Sequence, residues 1–156
     1  MEWEMTRLAR LLASGFGAGY APGPAPGTLA AALATLVGAG LMLALPFALP
    51  LAACLACLAG LWAIAATVPA DADPAWVVID EVAGQWIALL GLARPTPFGL
   101  LLAFAVFRFL DVVKPGPIGW ADRQGGAAGV MADDLIAGAF TAGIVWAARA
   151  RWPHYF

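Results

Sequence analysis

The chain has 156 residues, of which 63% are hydrophobic and only 12% are charged, and its mean hydropathy is +0.85. A soluble domain carries about twice this share of charged residues, roughly 25%. The composition therefore excludes an ordinary soluble domain, a disordered segment and a nucleic-acid-binding protein, and the net charge of −2 indicates no broad electrostatic partner. The length is that of one domain, so we expect a single helical domain, residues 1–156, embedded in a lipid bilayer.

The apolar runs predict an all-α, polytopic membrane protein with about five helices after an N-terminal leader. No charged residue occurs between positions 11 and 70, a stretch that can hold two spans of about 20 residues each. The leader, residues 1–27, ends in SGFGAGYAPGPAPG, which is too rich in glycine and proline to be helical. Proline and glycine also delimit the helices that follow. The predicted helices cover residues 28–45, 51–68, 76–92, 98–113 and 132–148.

The charged residues of the second half are expected to meet at one face of the membrane. Positive residues favour the cytoplasmic side, and Arg7 and Arg10 precede the first predicted span. Counting crossings from there places nine of the ten charged residues between positions 80 and 134 on that side, and Arg94 is the exception. Ionisable residues within a membrane cost about 2.5–3.5 kcal/mol each and usually have a function or a partner, so we favour a functional site over interfacial anchoring. The nine residues are Asp80, Glu81, Arg108, Asp111, Lys114, Asp122, Arg123, Asp133 and Asp134.

Two pairs of adjacent carboxylates, Asp80–Glu81 and Asp133–Asp134, indicate a metal site. Neighbouring carboxylates repel one another, and in a poorly solvated site they take up protons unless a cation neutralises them. A ligand set made only of oxygen atoms suits a hard ion, Mg²⁺ before Zn²⁺. The sequence therefore predicts a site for Mg²⁺ at this face.

Arg108, Asp111 and Lys114 are spaced by three and share one stripe of the fourth predicted helix. This stripe is either an internal ladder of ion pairs or a cationic clamp for a phosphate group, held in place by the aspartate. Thr28 follows Gly27 at the start of an apolar helix, which predicts an N-cap. The free N–H groups of that helix start could equally serve a phosphate group.

The remaining reactive residue types do not form a catalytic set. The only histidine, His154, lies in the tail after the last predicted helix, so a histidine nucleophile is excluded. Cys54 and Cys57 lie in an apolar helix and are interpreted as two small hydrophobic residues. The acidic segment 71–73 is interpreted as a solvated loop. Three small residues within helices are expected to allow close helix packing: Gly84, Gly138 and Ala142.

Three sequence blocks, taken together, carry a family resemblance. The first has GFGAG at 15–19 and APGT at 25–28, and the second is VIDEVAGQWI at 78–87. The third combines FRFLD at 107–111, KP at 114–115, PI at 117–118, DR at 122–123, GVM at 129–131, DD at 133–134 and AG at 137–138. In these blocks, which cover most of the chain, the sequence resembles the phosphatidylglycerophosphatase A family of bacterial inner-membrane lipid phosphatases. It departs from the family at Gln124, where a basic residue usually precedes the glycine pair.

The resemblance implies Mg²⁺-dependent hydrolysis of phosphatidylglycerophosphate to phosphatidylglycerol and phosphate, at the cytoplasmic face of the inner membrane. Under this hypothesis the two acidic pairs hold the metal, and Asp111 or Asp122 either activates a water molecule or attacks the phosphorus directly. The phosphate group would be held by Arg108, Lys114, Arg123 and Thr28. The partners would be a phospholipid substrate and the bilayer, and the sequence carries no signal for an oligomeric state.

Two rival interpretations remain at this point. The first is a small ion- or proton-coupled carrier, since buried acidic pairs also serve transport, although the charges lie at one face and no repeated halves are visible. The second is a phosphatidyl transferase of the CDP-alcohol type, which is also Mg²⁺-dependent. Its longer aspartate motif is absent, because Asp111 is followed by Val112, Val113 and Lys114.

Overall fold

The computed structural model describes residues 2–23 and 25–156, except for the side chain of Glu2. The described residues contain seven α-helices, two short 3-10 helices (Ala18–Tyr20 and Pro153–Tyr155) and no strand, which confirms the all-α prediction. The α-helices are α1 Glu2–Ala13, α2 Pro26–Ala44, α3 Ala48–Thr67, α4 Ile79–Leu89, α5 Pro97–Val113, α6 Pro117–Asp122 and α7 Gly126–Arg151.

The prediction of about five membrane-spanning helices is wrong in number. Among the described residues, three helices are long and apolar enough to cross a bilayer: α2, α3 and α7. Helix α4 has 11 residues, a length of about 16 Å against a hydrocarbon core of about 30 Å. Helix α5 has 17 residues and is also short for a span. The apolar character of α4 has another cause, because α2, α3, α5 and α7 all pack around it.

Several helix boundaries differ from the sequence prediction. The leader is not uniformly irregular, because its first part forms α1, and its glycine-rich part contains a 3-10 turn and ends in the first residues of α2, Pro26 and Gly27. Pro50 lies in the first turn of α3 rather than in a connecting turn, at a position where a missing N–H costs no helical hydrogen bond. Helix α7 begins at Gly126, six residues before its predicted start.

The early start of α7 follows from a glycine pair and a tertiary hydrogen bond. Gly125 and Gly126 have φ angles of 68° and 62°, in the left-handed region that glycine adopts readily. The N–H of Gly126 donates to the carbonyl oxygen of Ala70 at 2.9 Å, which ties the start of α7 to the loop after α3. As a consequence, Asp133 and Asp134 lie two turns inside the helix instead of at its first residues.

Helices α4 and α7 pack at very short range through glycine. A Cβ atom added to Gly84 would lie 2.6 Å from the backbone oxygen of Asp134 and 2.7 Å from the ring of Phe107. A Cβ atom added to Gly138 would overlap the carbonyl oxygen of Gly84, and one added to Gly91 would overlap that of Ala142. The expectation that these small residues permit close packing is therefore confirmed.

Replacing Gly138 by alanine is expected to destabilise the protein, because the added methyl group must push α4 away from α7. Overpacking of this kind typically costs about 1–3 kcal/mol. The measurement is the apparent unfolding temperature in detergent. Gly143→Ala is the matched control, because its Cβ on the same helix meets no atom within 4 Å, and we expect it to be neutral or slightly stabilising. Equal unfolding temperatures for the two variants would contradict the packing account.

The two ends of the helix bundle differ in chemistry. At one end, Arg94 donates from Nε to the backbone oxygen of Phe156 at 2.7 Å, and Thr96 caps α5 by accepting from the N–H of Gly99. Asp111 lies at the other end of α5, near Asp80, Glu81, Asp133 and Asp134. Arg94 is thus separated from the acidic pairs Asp80–Glu81 and Asp133–Asp134, as expected.

Candidate active site

A polar cavity of about 270 Å³ opens at the charged end of the bundle, where α2, α4, α5 and α7 meet. Its wall combines carboxylates with two cationic side chains, in a protein that is otherwise apolar. Seven of the site residues predicted from the sequence line it: Asp80, Glu81, Arg108, Asp111, Lys114, Asp133 and Asp134. The structure thus brings together residues that are up to 54 positions apart in the chain.

The two acidic pairs reach the cavity from different depths. Asp80 and Glu81 lie in the first turn of α4, where the positive end of the helix dipole favours carboxylates. The N–H of Val78 donates to the backbone oxygen of Ala13 at 2.9 Å, which fixes this helix start against α1. Asp133 and Asp134 are 5% and 2% exposed, so the sequence prediction placed them too close to the surface.

The carboxylates form two overlapping groups that could each hold a cation. One oxygen each from Asp80, Glu81 and Asp134 lie within 4.8 Å of one another, and the same is true of Asp111, Asp133 and Asp134. Four of the five residues also have a buried oxygen that accepts no hydrogen bond within the described part of the chain. These atoms are Asp80 Oδ1, Glu81 Oε2, Asp133 Oδ1 and Asp134 Oδ1.

These unpaired oxygens fit a divalent metal ion. A buried carboxylate without a partner is costly, and a bound cation removes that cost. The ligand set contains only oxygen, which is the set that Mg²⁺ prefers. The backbone of α2 also approaches closely here, because a Cβ atom added to Gly27 would overlap the carboxylate of Glu81.

Arg108 connects three helices across the cavity. Its Nη1 donates to Oδ2 of Asp111 and lies 3.9 Å from Oε1 of Glu81, while its Nη2 donates to Oγ1 of Thr28 at 3.1 Å. Its Nε is buried and has no partner among the described residues. The guanidinium is therefore held by α2, α4 and α5 at the cavity wall, and its Nε–H donor stays unpaired.

Lys114 departs from the predicted stripe on α5. It is the C-cap of that helix, with a φ angle of 49° in the left-handed region. Its ammonium group donates to Asp122 and, at 2.6 Å, to Oδ2 of Asp133. Burial alone would lower the pKa of Lys114, but these two carboxylates outweigh burial and hold the pKa above its usual value, so the side chain stays charged. The predicted ladder of three is thus one pair, Arg108–Asp111, and a separate lysine.

Comparison with known proteins assigns the chain to a family. The sequence model of the family described as phosphatidylglycerophosphatase A matches residues 11–149, which is most of the chain. The chain belongs to the phosphatidylglycerophosphatase A family. No solved structure matches the chain.

Three relatives of this phosphatidylglycerophosphatase A family member align with about half of it. Phosphatidylglycerophosphatase A of Escherichia coli (strain K12) is 40% identical over 82 residues, which are 52% of this chain and 48% of that protein. A Bacteroides thetaiotaomicron protein, provisionally named phosphatidylinositol-3-phosphatase, is 39% identical over 82 residues, 51% and 50% of the two chains. Phosphatidylglycerophosphatase A of Haemophilus influenzae is 36% identical over 76 residues, which are 48% of this chain and 47% of that protein. The chain thus spans about half the length of the curated relatives it matches.

Three other predicted site residues of this phosphatidylglycerophosphatase A family member lie at the rim or outside the cavity. Thr28 is not an N-cap, because Ala25 holds that position and Pro26 begins α2; its hydroxyl instead accepts from Arg108. Asp122 is 39% exposed, does not line the cavity and contacts Lys114. Arg123 is exposed at the end of α6 and does not line the cavity, so its contact with phosphate stays a prediction.

Two polar residues at or near the site were missed. Asp73 lines the cavity mouth, although segment 71–73 was interpreted only as a solvated loop. Gln85 lies one turn after Glu81 and is fully buried, and neither atom of its side-chain amide has a partner among the described residues. The available signal for Gln85 was its polar side chain within the apolar block 78–87 that carries the resemblance to the phosphatidylglycerophosphatase A family.

Proposed function

We propose that this protein is a Mg²⁺-dependent lipid phosphatase that hydrolyses phosphatidylglycerophosphate to phosphatidylglycerol and inorganic phosphate. The observation that carries the proposal is the cavity in which buried, unpaired carboxylates face Arg108 and Lys114. Family membership adds the substrate class, since the E. coli and H. influenzae relatives are named for this activity.

The two acidic pairs are the proposed metal ligands: Asp80, Glu81, Asp133 and Asp134. A bound Mg²⁺ would supply charge stabilisation for the phosphoryl group and lower the pKa of an attacking water. The protein contributes the arrangement of the ligands, because short-range packing of α4 on α7 holds the two pairs at a fixed separation. Their unpaired oxygens need no rearrangement of protein hydrogen bonds to accept a cation.

Arg108 and Lys114 are the proposed phosphate-binding residues. Phosphoryl transfer needs in-line attack and stabilisation of negative charge on the phosphate oxygens. The guanidinium of Arg108 can bind two of those oxygens in a fixed geometry, whereas Lys114 offers a compact point charge. Thr28 would orient Arg108 through the hydrogen bond already present, and Arg123 would act from the rim.

Asp111 is the proposed residue for activation of the attacking water. Of the two aspartates predicted for this role, Asp111 lines the cavity next to Arg108, and Asp122 lies at the rim on Lys114. A carboxylate beside the phosphate-binding arginine is well placed to orient the nucleophile for an in-line attack.

The lipid part of the substrate would stay in the bilayer while its headgroup enters the cavity. Large apolar side chains are exposed directly beside the Thr28–Arg108 contact: Leu29, Phe109 and Val112. Contact between such an apolar surface and lipid acyl chains costs no desolvation of polar groups. The lipid substrate could therefore enter the site laterally from one leaflet. We propose the bacterial inner membrane as the location and the cytoplasmic side for the cavity, since Arg7 and Arg10 precede α2.

A panel of lipid phosphomonoesters tests the substrate. Purified protein in detergent micelles with Mg²⁺ is expected to release phosphate from phosphatidylglycerophosphate with a kcat/KM at least about tenfold above that for phosphatidylinositol 3-phosphate. A difference of this size is typical of a few specific headgroup contacts. Preference for the inositol lipid would instead assign the activity for which the Bacteroides relative is named. Release from neither lipid would contradict the proposal, with Asp80→Asn as the inactive control.

A further inference from the structure

Five of the cavity carboxylates form the two ligand groups, and Asp134 belongs to both groups. We propose that the site binds two divalent cations of unequal affinity, bridged by the Asp134 carboxylate, with Asp80 and Glu81 on the tighter one and Asp111 and Asp133 on the weaker one. This inference rests on the proposed phosphatase function and adds Asp111 to the ligands. Paired ions that share ligands are a recurrent arrangement in phosphatases.

The first group is free to bind an ion. Neither Asp80 nor Asp134 forms an ion pair within the described residues, and Glu81 has only the long 3.9 Å approach of Arg108. Each of the three carboxylates has a buried oxygen without a partner. A cation here would therefore satisfy three buried acceptors without breaking a short ion pair, which predicts the higher affinity.

The second group is already engaged by the two cationic side chains. Arg108 holds Asp111, and Lys114 holds Asp133. A second divalent ion must compete with these ion pairs, which predicts a lower affinity. Once displaced, both side chains are free to bind the substrate phosphate. The second ion and the phosphate group should therefore strengthen each other's binding.

The charge balance of the cavity also favours two ions. Leaving aside the exposed Asp73 at its mouth, the cavity has five carboxylates and two cationic side chains, which give a formal charge of −3. A phosphate monoester brings close to two further negative charges, so the occupied site would carry about −3 with one divalent ion and about −1 with two. Burying several uncompensated charges is costly. The second ion thus makes phosphate binding possible in a poorly solvated cavity, and Asp111 assists the attacking water as a ligand.

Mn²⁺ titration followed by electron paramagnetic resonance tests this inference without a turnover measurement. Full-length protein in detergent is expected to bind two Mn²⁺ per chain, and saturating inorganic phosphate should tighten the weaker site roughly tenfold, a common size for coupling between sites. The doubly loaded protein should show a spin-coupled pair. One Mn²⁺ per chain in saturating phosphate, or none, overturns the inference.

Isosteric variants assign the two sites. Asp111→Asn should keep one tight Mn²⁺ and lose the weaker one, Asp80→Asn should lose the tight one, and Asp134→Asn should lose both. The matched control is Asp71→Asn, which removes an exposed loop carboxylate outside both groups, and this variant should bind two Mn²⁺. Two ions bound to Asp111→Asn with wild-type affinities would overturn the assignment. A single bound ion together with full phosphate release would refute two-ion binding and leave the proposed function standing. Two bound ions without any phosphate release would support two-ion binding and refute the proposed function.

Discussion

Asp134→Asn is expected to lower kcat for phosphate release by roughly 10²–10³-fold, the scale of losing one preorganised electrostatic group in an active site. Asp134 is the one carboxylate that lies in both ligand groups, and it is 2% exposed beneath the α4–α7 contact. Asparagine has the same shape but no charge, so the helices should still pack. The measurement is steady-state phosphate release from phosphatidylglycerophosphate over a range of Mg²⁺ concentrations.

The control for this variant is Asp71→Asn, which removes one negative charge from an exposed loop near the same end of the bundle. It should retain wild-type kcat and the wild-type Mg²⁺ dependence. If Asp134→Asn also turns over at the wild-type rate, the carboxylate groups do not hold the catalytic metal. If it loses activity and its unfolding temperature collapses too, Asp80→Asn repeats the test at a ligand on the other helix.

Arg108→Ala is expected to lower kcat/KM by roughly 10²-fold or more, since truncating one partner of a buried charge pair costs about 2–5 kcal/mol. The guanidinium is the group in the cavity that can bind two phosphate oxygens at once, and Arg108→Lys should recover only part of the loss because an ammonium group is a point charge. The measurement is kcat and KM on the same lipid in micelles.

This substitution also separates the two sequence-based interpretations of the α5 stripe. A phosphate clamp predicts a raised KM together with a lowered kcat. A purely internal ion pair with Asp111 predicts a lower unfolding temperature with unchanged kinetics of the folded fraction. Arg151→Ala is the control, because Arg151 is exposed at the opposite end of α7. Kinetics of Arg108→Ala within twofold of wild type would exclude the clamp.

The site could be located from the sequence because charge is so rare in this chain. In a soluble protein most charged residues only face water, whereas here each ionisable residue in an apolar run needs a partner or a function. This reasoning identified Asp80, Glu81, Arg108 and Asp111 as cavity residues and set Arg94 apart. The family resemblance then added a specific reaction, which spacing alone does not supply.

The span count failed for a physical reason. An apolar segment can be buried equally well in lipid or in a protein interior, so composition does not distinguish a membrane-spanning helix from a helix buried in the protein. Helix α4 belongs to the second kind, since four helices surround it and it ends at Leu89 although the apolar run continues to Leu92. Just after the end of α4, Gly91 lies against Ala142. No local sequence pattern predicts this tertiary contact.

The sequence-based predictions of local details of the site were wrong for the same reason. The depth of Asp133 depends on where α7 begins, and that start is set by the hydrogen bond from Gly126 to Ala70, which are distant in sequence. The direction of Lys114 depends on a left-handed C-cap that a non-glycine residue seldom adopts, stabilised here by Asp122 and Asp133. Such features arise from packing rather than from periodicity.

The central claim is that buried carboxylates at one end of this bundle hold a divalent ion for lipid phosphate hydrolysis. The most direct test is phosphate release by the purified protein from phosphatidylglycerophosphate micelles, measured before EDTA, after EDTA, and after Mg²⁺ is restored. We predict release, complete loss with the chelator and full recovery with Mg²⁺. Continued release in excess EDTA would contradict the account.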